Sequence, residues 1–200
     1  MMSTTDIIDT LAGIEPGSAI DAIRARRLQA RDNAQKSYLA LFEPIDAGDF
    51  SLVERAAVAA FVAGLHGESP VASFYRTKLA AGANGAALVE AVSAEIAQAR
   101  TSGPYGAFPP GPLSAEDKSG LIYHVGADRK PALGVRLAAA LEHAHLLVFR
   151  PRDAASADMK TLHSAGWSDT GIVTLSQLVA FLSFQLRVVS GLRALGAAGA

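Results

Sequence analysis

MKTLHSAGWSDTGIVTLSQLVAFLSFQLRVVSGLRAL, residues 159–195, is the stretch that decides the fold class. Met159, Leu162 and Ala165 make a short helical pattern, and Gly166 follows where a helix ends on a left-handed residue. Ser168 or Asp169 is placed to cap a second helix by accepting a backbone N–H bond. There Ile172, Leu175, Val179, Leu182, Leu186 and Val189 recur at three- and four-residue spacing. Phe181, Phe184 and Val188 widen the apolar surface beyond one stripe, and no charge lies between Asp169 and Arg187. A helix apolar nearly all round belongs in a core or against another subunit. Thr174, Ser176, Gln177, Ser183 and Gln185 interrupt it, which argues against a membrane span of about 20 mostly apolar residues.

The rest of the chain reads as helices around this one. Its 200 residues suit one domain, or one domain with an arm, and at 50% hydrophobic they can bury a sizeable core. A net charge of −1 gives no global attraction for nucleic acid or an anionic membrane, and neither is an expected partner. The opening MMSTTDIIDTLAG has acidic residues and no basic segment, so no secretory signal is expected and a cytoplasmic location follows. There is no cysteine, which excludes disulfides, thiolate metal sites and thiol redox catalysis.

Alanine is abundant and alternating β-branched runs are missing, so the expected class is all-α. A short helix is expected over 4–12, closed near Gly13, and a long one from a Ser18 cap to residue 42. Together they make an N-terminal helical arm over 1–50. Arg24, Arg26, Arg27 and Arg31 lie along the long helix, either as an anion-binding strip or as a solvated face beside Asp21 and Asp32. After a linker over 43–51, Ser51 and Glu54 fit a capping box for a helix over 52–66. Ser69–Pro70 restarts a helix over 71–81, and another follows over 86–100. The segment 101–114 is rich in glycine and proline and reads as a loop. Ser114 with Asp117 suggests a further capped helix to residue 125, and Pro131 opens one over 132–149 that Pro151 stops.

An internal repeat runs at an offset of 84 residues. LAAGANGAALV, 79–89, lies over HSAGWSDTGIV, 163–173, and VERAAVAAFVAGLHGES, 53–69, lies over LAAALEHAHLLVFRPRD, 137–153. The identities are Ala56/Ala140, Ala60/Ala144, Ala81/Ala165, Gly82/Gly166 and Val89/Val173. The domain over 51–200 is thus expected to hold two copies of a three-helix unit, about 51–100 and 133–195, joined by the Gly/Pro loop 101–113.

This unit, with its AG turn and long apolar helix, resembles the carboxymuconolactone decarboxylase-like and alkyl hydroperoxidase D-like (AhpD-like) superfamily. The phrases LSAEDKSGL (113–121), ALEHAHLLVFRPRDA (140–154) and LHSAGWSDTGIVTLSQLVAFLSFQLRVVSGLRAL (162–195) resemble a cysteine-less subfamily, over roughly residues 50–195. The resemblance implies an AhpD-like helical fold and homo-oligomers in which long helices pack across subunits. Peroxidase members carry a Glu, then CxxC, then a His. Glu54 stands at the Glu, His66 and Ser69 at the cysteines, and Ser73, or Tyr75 after a two-residue slip, at the His. The missing thiols remove what peroxidase chemistry requires. The decarboxylase branch works without CxxC, by acid–base catalysis.

Two classes of function are therefore expected. One is a small-molecule-binding or interaction homo-oligomer without thiol peroxidase activity. The other is a cysteine-free acid–base enzyme acting on a small organic acid or lactone; peroxidase-related activity is a third possibility. The candidate catalytic residues are His66, Glu54 and Tyr75, and the candidate substrate-binding residues are Ser69, Arg76 and Arg187. An imidazole beside a carboxylate and an arginine suits proton transfer on an anionic substrate, whereas a histidine in a last helical turn is also favoured by the helix dipole alone. His143 and His145, two apart on one helix, point different ways, and His124 and His163 are isolated, so neither a metal nor another cofactor is expected. Trp167 and the Phe181/Phe184 pair read as core or interface.

Overall fold

A computed structural model describes residues 6–67 and 69–199. Among them are nine α-helices and no strands, as the apolar periodicity predicts. The helices are α1 (Ile7–Ala12), α2 (Ala19–Ala25), α3 (Leu28–Phe42), α4 (Leu52–Leu65), α5 (Pro70–Ala80), α6 (Gly85–Ala99), α7 (Lys130–Phe149), α8 (Ser156–Ser164) and α9 (Asp169–Ala197).

Local signals explain four of the helix starts. Ser18, Ser51, Ser69 and Ser168 each accept a backbone N–H from the first turn of α2, α4, α5 and α9. Glu54 completes the box at Ser51 by accepting the Ser51 N–H at 3.0 Å. Gly166 takes φ +91 beyond the end of α8, a conformation that only glycine adopts cheaply.

The core is centred on α4 rather than α9. Every residue of α4 from Arg55 to Leu65 is buried. Its alanines and Gly64 let neighbours approach closely; a Cβ on Gly64 would stand 2.4 Å from Ile96 Cδ1 on α6. By contrast, α9 buries Ile172, Leu175, Leu178, Leu182 and Val189 but leaves Val173 56% and Phe184 46% exposed. By length and composition alone, α7 and α9 could each cross a membrane, but 56% and 50% of their apolar windows are buried inside the molecule.

Three of the six boundaries of the two helical triplets share one offset: Leu65 and Phe149, Ala80 and Ser164, and Gly85 and Asp169 are each 84 residues apart, whereas the starts of α4 and α7, the starts of α5 and α8, and the ends of α6 and α9 are 78, 86 and 98 apart. α4 packs on α9 and α6 packs on α7, with α4 against α7 between them. Exchanging α4 with α7 and α6 with α9 turns the first contact into the second, as an approximate two-fold relation requires.

Two expected elements differ. The long helix over 18–42 is broken at Arg26–Arg27 into α2 and α3. The break lets Arg24 and Arg31 converge on acids of α1 and α2: Arg24 pairs with Asp6 at 2.8 Å and with Asp9, and Arg31 pairs with Asp9 and with Asp21 at 2.9 Å. The expected solvated face thus holds for only part of the set. Two of them join the arm's helices through a largely buried network, while Arg26 and Arg27 are exposed.

The helix expected after Ser114 is also absent. Its capping groups serve a loop instead: Ser114 Oγ accepts the Gly111 N–H at 3.0 Å and Asp117 Oδ1 accepts the Phe108 N–H at 2.7 Å. Residues 112–116 form a 3-10 turn and 117–129 run as an irregular strap. Tyr123 and Val125 are buried while Ile122 and His124 are exposed, which is extended and not helical alternation. Buried Glu95 on α6 anchors the strap by accepting from the Tyr123 hydroxyl and, at 3.3 Å, from the Gly126 N–H.

Candidate functional site

The corner between α4 and α5 meets the last third of α9 at a cleft of about 600 Å³. His66, Ser69 and Arg187 all line it, with Arg193 and Ser190 beside them and Leu186 and Val189 forming an apolar wall. No described residue of the lining is acidic.

Each polar group is held by its local structure. His66 is the C-terminal cap of α4, and its Nδ1–H donates to the Val62 carbonyl at 2.9 Å. A carbonyl only accepts, so the neutral ring carries its proton on Nδ1 and keeps Nε2 as an acceptor. Ser69 caps α5, its Oγ accepting the Ala72 N–H at 3.1 Å. The positive end of the α5 dipole therefore opens at the cleft. Arg187 Nη1 donates to the Ser183 carbonyl at 2.7 Å, one helical turn back, which holds the exposed guanidinium along α9. Such a setting attracts and hydrogen-bonds an organic anion.

The other candidates lie elsewhere. Glu54 stands at the opposite end of α4 from His66, about 18 Å away at 1.5 Å per residue. There it caps the helix and accepts from Arg136 Nε at 2.9 Å. Arg136 also donates to the Asp49 carbonyl at 2.6 Å and to the Gly166 carbonyl, and its guanidinium lies 4.0 Å over the Trp167 ring. The expected pairing of Glu54 with His66 is therefore not formed; its carboxylate serves a joint between the two helical triplets.

Tyr75 is fully buried, and its hydroxyl donates to Gln185 Oε1 at 2.7 Å. Burial pushes the phenol well above its ordinary range. It does not line the cleft, so it is not placed as the acid or base partner of His66. Arg76 lines a separate cavity of about 240 Å³ with Arg100, Ser93 and Ile96.

No family model, curated protein or solved structure matches the chain. The reading of the cleft accordingly rests on its own chemistry.

Among the described residues no group of three or more His, Asp or Glu side chains is arranged to hold a metal ion. His143 and His145 are buried within α7, and burial pulls both below the usual histidine value of 6.5. His145 donates to the Ala99 carbonyl at 3.0 Å and stacks against Tyr123 and Phe149. His124 meets Glu142 at 3.3 Å, and His163 meets Asp169 at 3.2 Å. Trp167 Nε1 donates to the Arg136 carbonyl at 3.0 Å, and its ring packs edge-on against Phe50.

Arg193 and Ser190 were missed as cleft residues in the sequence reading. Ser190 and Arg193, three and six residues on from Arg187, lie within two turns of it on one helix.

Proposed function

We propose that this protein is an AhpD-like, carboxymuconolactone decarboxylase-related helical protein without a redox centre, and that it binds a small organic anion in the His66–Ser69–Arg187 cleft. One observation carries the reading: Arg187, distant in sequence from His66 and Ser69, lines one cavity with them, with a second arginine and a helix N-terminus. The offset of the two helical triplets supports the family assignment, and the absence of cysteine argues against thiol peroxidase activity. The test is titration calorimetry with butyrate. Arg187→Gln is expected to weaken binding by about tenfold, the usual worth of a charge-assisted contact. Failure of the wild-type protein to bind butyrate and other short carboxylates would sink the reading.

Acid–base catalysis on an organic acid or lactone is the second reading. It is favoured by the free Nε2 of His66, which in the neutral ring can take a proton from a ligand in the cleft. Against it, Glu54 and Tyr75 are committed elsewhere, so among the described residues the cleft has no partner acid. Turnover of a lactone acid that disappears in His66→Gln would promote this reading over simple binding. Robust peroxide turnover with a dithiol donor would revive the third, peroxidase-related reading.

The same proposal includes a cytoplasmic homo-oligomer. Val173, Ala180, Phe184 and Leu195 lie on one exposed face of α9, which suits a second subunit better than water.

A further inference from the structure

The cleft continues past Arg193. A second cavity, of about 610 Å³, lies between α1 and α5 and shares Pro70 and Arg193 with the first. Along α5 the two are lined in turn by Ser69 and Pro70, then Phe74, then Thr77 and Lys78. These residues recur at helical spacing, so consecutive turns of one face of α5 form the floor of a single groove. Leu11 of α1 closes the far side.

The groove changes character along its length. At the α9 end it offers His66, Arg187 and the α5 N-terminus. In its middle the apolar surface of Pro70, Phe74 and Leu11 lies beside Arg193 and Ser73. At the α1 end stands Lys78, whose ammonium lies 5.9 Å and 5.7 Å from the ring centres of Tyr38 and Phe42. Those ring faces attract the cation and hold it in place. Between Ser69 and Lys78 the helix advances about 14 Å at 1.5 Å per residue. A short monoacid satisfies one end only, and its charge is too far from Lys78 to be felt through water.

We infer that the groove takes an elongated dianion of the long-chain α,ω-dicarboxylate class. One carboxylate sits between His66 and Arg187. The methylene chain lies over Pro70, Phe74 and Leu11, and the second carboxylate meets Lys78. The inference rests on the anion-binding reading of the His66 cleft and adds the length, polarity and second charge of the ligand.

Titration calorimetry on the full chain tests it with three probes: butyrate, decanoate and sebacate. Decanoate and sebacate have the same number of carbons and differ by one carboxylate. Sebacate is expected to bind about tenfold tighter than decanoate, the worth of one further charge-assisted contact. Lys78→Gln removes that preference and leaves decanoate unchanged, whereas Lys78→Arg keeps it. Arg187→Gln weakens all three probes. Equal affinity for sebacate and decanoate, or a preference that survives Lys78→Gln, overturns the inference while butyrate binding keeps the simpler reading alive. If no probe binds, both fall together.

Discussion

Glu54 and Arg136 stand 2.9 Å apart, the carboxylate at the start of α4 against the guanidinium at the start of α7. The pair joins the two helical triplets at a point where Asp49, Gly166 and Trp167 also meet Arg136. Glu54 therefore has a structural duty at one end of α4, and the cleft occupies the other. Glu54→Gln is expected to lower stability by about 1–3 kcal/mol, through the weakened cap and the loss of the nearer of two carboxylates on a partly buried cation, Asp49 remaining at 3.5 Å. Urea denaturation measures the loss, and butyrate affinity should not change. A large fall in affinity with stability intact would instead return Glu54 to the ligand site.

Tyr75→Phe removes the hydrogen bond to Gln185 and leaves a fully buried amide without it. The expected cost is about 1–3 kcal/mol of stability. Thermal unfolding records it. Any lactone turnover should persist in the folded variant, and its abolition there would mark Tyr75 as a participant despite its burial.

The arm is held by charges at low exposure. Arg24→Ala leaves Asp6 and Asp9 without their shortest partner and is expected to cost about 3–5 kcal/mol. Hydrogen exchange should show α1 and α2 losing protection before α4. Unchanged protection in α1 would mean that apolar packing of Ile8 and Leu11 holds the arm without the ion pairs.

Acid weakens the fold in two windows. Burial keeps His143 and His145 neutral below 6.5, the value at which an unfolded chain protonates them. The unfolded state thus takes up more protons just below pH 6.5. Stability from these rings is full above that pH and is lost as pH falls toward their folded values. Asp49 is held below 3.8, first by the Ser168 hydroxyl and then by its backbone N–H and by Arg136. Its contribution is present above 3.8 and is lost as pH falls through its folded value. Urea midpoints measured against pH should decline from about 6.5 downward, and His143→Leu should flatten that first decline. A wild-type profile level down to pH 4 would contradict the buried neutral rings.

Phe184→Glu puts a charge in the exposed apolar face of α9. If that face is a subunit contact, light scattering should show a smaller particle than wild type with unchanged helicity. A monomeric wild-type protein removes the oligomer from the proposal.

What could be read beforehand was whatever is decided within a few residues. Ser51 with Glu54, Ser69 with Pro70, and Gly166 act over one turn, and each does locally what its residue type predicts. Ser114 with Asp117 fits the same local pattern, yet Asp117 goes to Phe108, nine residues back, and a loop forms instead. Long-range partners leave no periodic trace. Nothing near Glu54 announces Arg136, and nothing near Tyr75 announces Gln185, which is 110 residues away. The centre of the fold lies away from the most apolar run for a related reason. The apolar run in α9 suggests full burial, but small residues let α4 be enclosed more completely. Of the cleft, the residue types were legible and the company they keep was not. His66 and Arg187 line one cleft because α9 packs along α4, at whose end His66 stands.

The crossed packing of α4 on α9 and α6 on α7 makes each triplet the other's missing partner. Each half also packs within itself, but part of its apolar surface is closed by the other, as in a dimer whose subunits are joined in one polypeptide. The strap over 101–129 then serves as a tether, replacing a concentration-dependent encounter by an intramolecular one. Cleavage between the exposed residues Pro109 and Pro110 should leave the two fragments bound to one another. Separated by denaturant and diluted, they should regain helicity at a rate that rises with concentration, whereas the intact chain refolds at a rate that does not.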